Sequence, residues 1–87
     1  MVEIKEMYRL LEQMVKSTVK GDGKNVLRLN AEFKAIMPDV ATTSTTPLYL
    51  EYDNCRQSCV MYFNMPHMCD AFLEDAKYRF LKIPKPL

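Results

Sequence analysis

The chain has two glycines, one histidine and almost no surplus charge of either sign. Each shortage excludes something. Two glycines cannot build a glycine-rich loop that cradles phosphate, and neither G-x-x-x-x-G-K-[ST] nor G-x-G-x-x-G occurs. G-x-S-x-G and H-E-x-x-H are absent too, which removes common signatures of serine hydrolases and zinc proteases. Twelve basic and eleven acidic residues leave a net charge of +1. Attraction to nucleic acid or to an anionic membrane must therefore come from a local patch. No apolar run is long enough to cross a bilayer, so no membrane partner is expected. The N-terminal stretch MVEIKEMYRLLEQ is charged and amphipathic, unlike the apolar centre of a secretion signal. Three cysteines, Cys55, Cys59 and Cys69, are an odd number for a secreted disulfide framework. These features together predict a reducing, cytoplasmic setting.

What is present fits one globular domain over residues 1–87, with 48% hydrophobic and 26% charged residues and a core that must be thin at this length. Residues 2–20 carry Ile4, Met7, Tyr8, Leu11, Met14, Val15 and Thr18 at the helical period, and Gly21 and Gly23 supply the stop. Residues 25–37 alternate apolar and polar: Leu27, Leu29, Ala31, Phe33, Ala35 and Met37 against Arg28, Asn30, Glu32 and Lys34. Period two predicts a half-buried strand, although Val26, Leu29, Phe33, Ile36 and Met37 also suit a helix. A lone hairpin is marginal in water, and that favours counting this stretch as a third strand. Residues 38–47, PDVATTSTTP, read as a flexible threonine-rich loop. Residues 48–52 and 58–63 read as two further strands joined by a turn at Asp53–Asn54. Residues 65–82 read as a helix capped by Asn64, with Pro66 in the first turn and a stripe of Met65, Cys69, Phe72, Ala76, Phe80 and Ile83.

The order helix–strand–strand–strand–helix predicts an α+β fold, with two helices on one face of a three-stranded antiparallel sheet. Leu27, Leu29, Phe33, Leu48, Leu50, Met61 and Phe63 would face the helices. The alternative is three helices with one β-hairpin. Seven methionines is a high number, and Met7, Met14, Met61, Met65 and Met68 fall on faces assigned to the core.

Candidate chemistry is sparse. Cys55, Cys59, His67 and Cys69 are proper zinc ligands in type and number, but C-x3-C-x7-H-x-C is not a finger or ribbon spacing. Two residues apart on a helix, His67 and Cys69 would diverge by about 200°. Free cysteine is among the most buried residue types, so packed thiols are the favoured reading. Cys69, in the first turn of a helix, is a candidate nucleophile without a base in reach. Neither a metal nor any other cofactor is expected, nor an enzyme.

Two surfaces suggest binding. On the solvent side of the predicted sheet, Tyr49 and Tyr62 would flank Val60 beside Arg28 and Lys34, the amphipathic mixture that interfaces favour. On the first helix, Lys5, Arg9, Lys16 and Lys20 share one face, and Lys24 and Arg28 continue it past the turn. The expectation is a small non-enzymatic interaction protein, homodimeric, that binds and blocks a macromolecular partner. A compact, motif-poor, methionine-rich composition of this kind is similar to that of viral and phage accessory proteins. The alternative is RNA or single-stranded nucleic-acid binding through the basic stripe and the tyrosine-bearing sheet face.

Overall fold

Residues 2–20 have the cleanest helical periodicity, and a computed structural model shows a helix over the described part of that stretch, from Ile4 onward. The structure describes residues 4–36 and 47–86. Helix α1 runs Ile4–Lys20 and buries Met7, Leu10, Leu11, Met14, Val15, Ser17 and Thr18. Its end is a tight two-residue corner. Gly21 takes φ +76°, and the Gly21 and Asp22 amides donate to the Thr18 and Ser17 carbonyls at 3.0 and 2.9 Å. These are the two hydrogen bonds of a Schellman stop. Asp22 then starts the next helix, its Oδ1 accepting from the Asn25 amide at 3.2 Å in the manner of an N-cap. The neighbouring Gly23 has a different reason to be small. A Cβ there would lie 3.2 Å from the Phe63 ring.

The predicted strand over 25–37 is overturned, because residues Gly23–Ile36 form helix α2. Its buried side chains are Val26, Leu29 and Phe33, at i, i+3 and i+7, with Ile36 packed at the edge. Leu27, which alternation placed inside, is 62% exposed, and Ala31 and Ala35 are exposed with it. The alternation was incidental, since Leu29 and Phe33 satisfy both periods, and the residues that separate them, Val26, Leu27, Ala31, Ala35 and Ile36, side with the helix. Lysine, glutamate, alanine, leucine and arginine also favour the helix intrinsically.

The predicted hairpin is overturned as well. Residues Pro47–Asn64 form one continuous helix, α3, with Pro47 in the first turn, where its missing N–H costs nothing. Tyr52, Cys55, Ser58 and Cys59 make its buried face. The supposed turn at Asp53–Asn54 is helix surface: Asp53 accepts from Arg56 Nε at 2.9 Å and from Gln57 Nε2 at 2.8 Å, one helical turn on. Of the expected sheet core, Leu29 and Phe33 are buried and Phe63 is packed at its edge. Leu50 is exposed and Met61 half-buried, and the Leu48 side chain lies outside the described residues. The threonine-rich loop also falls outside them, apart from Pro47.

A 3-10 turn over Pro66–Met68 leads into α4, Cys69–Lys82. Asn64 is the last residue of α3 rather than a cap, and neither Met65 nor Met68, at the two N-cap positions, makes a side-chain capping bond. Among the described residues there are thus four α-helices and no strand, so both the α+β fold and the alternative with a hairpin give way to an all-helical one. No helix among them is long and apolar enough to cross a membrane.

The helices share one core. Side chains from α1 and α2 meet Tyr52, Cys55 and Cys59 of α3, Ala76 of α4, and Ile83 just beyond it. Tyr8 of α1 stacks on Phe80 of α4 with ring centroids 5.1 Å apart. Met7 and Met14 are core residues as expected, whereas Met61 and Met65 are half-buried and Met68 is 43% exposed. Polar groups inside are mostly satisfied. Thr18 Oγ1 donates to the Met14 carbonyl at 2.8 Å, and Asn25 Nδ2 donates to Ser17 Oγ at 2.7 Å. Among the described residues, the Tyr52 hydroxyl is fully buried with no hydrogen-bond partner. Burial also raises its pKa, since the phenolate would be poorly solvated there.

Two stability changes follow. Gly21→Ala puts a Cβ on a left-handed residue and is expected to cost about 1 kcal/mol in urea unfolding. Tyr52→Phe removes an unpaired buried hydroxyl and is expected to leave stability unchanged or to raise it by about 1 kcal/mol. A loss above that size would show that the hydroxyl has a partner.

Candidate functional site

The outer face of α4 combines large apolar side chains with ordered charge. Helical spacing puts Asp70, Glu74, Lys77, Tyr78, Leu81 and Lys82 away from Ala76, and all six are exposed. Leu81 is 83% exposed and Tyr78 is 61% exposed. Lys82 Nζ sits 5.0 Å above the Tyr78 ring, which covers one ring face with a cation. The acids come first and the bases later, an order that complements the helix dipole. Sequence reasoning missed Tyr78 and Leu81. The signal was available, since both lie off the stripe of Met65, Cys69, Phe72, Ala76 and Phe80.

Beside Tyr78 a shallow groove of about 180 Å³ runs along the border of α3 and α4, lined by Glu51, Asp75, Tyr78, Arg79 and Lys82. Ligand pockets usually span about 300–1,000 Å³, so this one suits a side chain better than a substrate. Its floor is a polar link between the helices. Buried Ser58 Oγ of α3 donates to the Asp75 carboxylate, and Arg79 Nε donates to the same oxygen at 2.8 Å. Partial burial pushes the Asp75 carboxyl up, but the Ser58 and Arg79 hydrogen bonds and the Arg79 charge outweigh it and hold the carboxyl below its usual range. The Ser58 hydroxyl is thus tied to a carboxylate whose basicity the Arg79 contact lowers.

The four candidate metal ligands are not brought together. Cys55 and Cys59 are buried one turn apart on α3, His67 is exposed on the 3-10 turn, and half-buried Cys69 lies nearest the Asp70 carboxylate at 3.9 Å. No three histidine, cysteine, aspartate or glutamate side chains converge among the described residues. Cys55 is a packing and hydrogen-bonding residue, its thiol donating to the Ala76 carbonyl at 3.4 Å. The adjoining Cys59 sulfur and burial push that thiol's pKa far up, so it stays protonated and unreactive.

The tyrosine platform disappears with the sheet. Tyr49 and Val60 lie on one side of α3 and pack partly into the core. Tyr62 is about 140–160° round the helix from them and meets the Phe63 ring edge-on at 4.7 Å. Arg28 and Lys34 are exposed on α2, where Arg28 is engaged by Asn25 at 2.7 Å and Glu32 at 3.4 Å. The basic stripe fares differently. Lys5, Arg9, Lys16, Lys20, Lys24 and Arg28 are all exposed on α1 and α2.

Comparison with protein-family models, with curated proteins and with solved structures finds no match to this chain.

The Asp75 link makes a testable contribution to stability. A carboxyl whose pKa is lowered on folding stabilises above its unfolded value, and the benefit is lost as pH falls through the folded value. Asp75→Asn is expected to cost about 1 kcal/mol at pH 7, a modest figure because solvent screens the pair. Asp75 is 38% exposed. The gap between variant and parent in urea unfolding should close as pH falls below about 4. A gap that persists at low pH would mean that the carboxylate charge is not what Asn removes.

Proposed function

We propose that the chain is a small non-enzymatic interaction protein that works as a homodimer paired through α4, and that the dimer engages a macromolecular partner. The observation that carries this reading is the joint exposure of Tyr78 and Leu81 on a helix face whose charges are ordered from acidic to basic. Single exposed apolar residues are ordinary on any surface. A tyrosine and a leucine one turn apart, in a chain with so thin a core, are a concentrated apolar contact.

The charge order names a second copy as the fitting occupant. When two α4 helices lie antiparallel about a two-fold axis, the Asp70–Glu74 end of one meets the Lys77–Lys82 end of the other. In that register the two-fold axis passes near Ala76, Tyr78 lies about 3 Å from it along the helix, and Leu81 lies about 8 Å from it, over the Ala71 end of the other copy. A two-fold interface must be self-complementary, and an acid-to-base gradient along one helix has that property. The near-neutral net charge offers little repulsion against association. The groove bordered by Glu51 and Arg79 is of a size to take a side chain from the opposite copy.

The test is the mass in solution of the full chain. The parent should sediment at twice its 10.2 kDa at about 0.1–0.2 mM, the range where a modest interface of this kind is populated. Leu81→Glu, which adds a charge to an already solvated position, should sediment as a monomer with unchanged helix content. A parent that remains monomeric across that range would overturn the proposal.

A further inference from the structure

The exposed cations of α1 are not absorbed by the α4 reading, and they are better organised than the overall charge suggests. At about 100° per residue, Lys5, Lys16, Arg9 and Lys20 fall within an arc of about 60° on the solvent side of α1. The row is about 22 Å long from Lys5 to Lys20 at 1.5 Å per residue. Lys24, also exposed, follows in the first turn of α2, past the two-residue corner held by Gly21. Between Ile4 and Ile36 the chain carries seven basic and four acidic residues, a surplus of three. Between Pro47 and Pro86 it carries five of each. The charge imbalance of the protein therefore resides in the α1–α2 half.

Two of the cations are already engaged. Arg9 pairs with Glu6 and Arg28 with Glu32. Among the described residues, Lys5, Lys16, Lys20 and Lys24 have no ion-pair partner. Lysines that only solubilise a helix are normally interspersed with acids at i,i+4. Here Glu12 and the Arg9-bound Glu6 flank the row and Asp22 lies between Lys20 and Lys24, but among the described residues none of the three is ion-paired to a lysine of the row.

We infer that this face of α1, extended by Lys24, is a seat for the phosphate backbone of double-stranded DNA, bound without sequence preference. Four free lysines in a row supply what backbone binding requires, which is phosphate neutralisation with counterion release. The face lacks what other anionic partners use. Single-stranded nucleic acid and RNA loops are held by exposed aromatic rings, and the nearest ring, Tyr8, is half-buried against Phe80. A membrane surface is gripped by inserting an apolar helix face, and the apolar face of α1 is the protein core. No groove-reading geometry is needed, because α1 stays packed on the other helices and its lysines reach outward. This surface shares no residue with the α4 face, so either proposal can fail alone.

The test uses the full chain and fluorescently labelled 20-base-pair DNA duplexes of two unrelated sequences, read by anisotropy from 50 to 200 mM salt. Both duplexes should be bound alike. The logarithm of the affinity should fall with the logarithm of salt at a slope of about −3.6, a loss of about 100-fold over that range. Lys16→Glu with Lys20→Glu should weaken binding at least tenfold at the lowest salt, and Lys16→Gln with Lys20→Gln should bring the slope to about −2. Circular dichroism should show both variants folded. No binding at 50 mM salt would overturn the inference. So would binding that ignores the lysine changes, tighter binding to single-stranded RNA of equal length, or lysine-dependent binding to phosphatidylserine vesicles without retention of DNA.

Discussion

Burial of one side of α1 is the constraint on which the rest depends. Met7, Leu10, Leu11, Met14 and Thr18 are almost wholly removed from water, and α1 packs against each of the other three helices. Isolated helices of this length are marginal, so each of the others persists by covering part of that seam. Their contributions differ in size. Helix α2 brings Val26, Leu29 and Phe33, large side chains that fill the space beside it. Helices α3 and α4 approach each other through small residues, and the Cys55 thiol reaches the Ala76 backbone carbonyl directly. A larger residue than alanine at 76 would push them apart.

Because the apolar side of α1 is spent on the core, its other side is free to be charged. The same division governs α4, whose inner residues Ala76 and Phe80 hold the fold together while Tyr78 and Leu81 are left outside. The interior offers two packed thiols, of which Cys55 is held protonated, and a buried serine tied to the half-buried Asp75. The two proposals follow from that division: self-association through the apolar side chains of α4, and phosphate binding through the lysines of α1.

The parts of the structure legible in the sequence are those where one period dominates. Helix α1 was such a case, and its Gly21 stop followed from a left-handed corner that only glycine takes easily. Helix α4 was legible from the stripe of Cys69, Phe72, Ala76, Phe80 and Ile83, although its start was not: the pattern begins at Met65, whereas the helix begins at Cys69 after the 3-10 turn. The middle of the chain was misread because short apolar runs obey two periods at once. Leu29 and Phe33 fit strand and helix alike, and choosing the strand then seemed to require a sheet for it to join. Asp53 and Asn54 look like a turn when only their backbone preferences are weighed. The missing information was lateral: Asp53 finds Arg56 and Gln57 one turn ahead, and Arg56 in turn reaches Asn30 on α2 at 2.9 Å. The cationic face was legible because it needed only α1 to be a helix, while the tyrosine platform needed a sheet and vanished with it.

Continuity of α3 through Asp53 and Asn54 is where an all-helical account and a sheet-based one differ most sharply. Backbone carbon-13 chemical shifts of residues 48–63 measure it directly. The account predicts Cα shifts displaced to the helical side without interruption, including at Asp53 and Asn54. Shifts on the extended side over 48–52 and 58–63, broken by a turn between them, would contradict it.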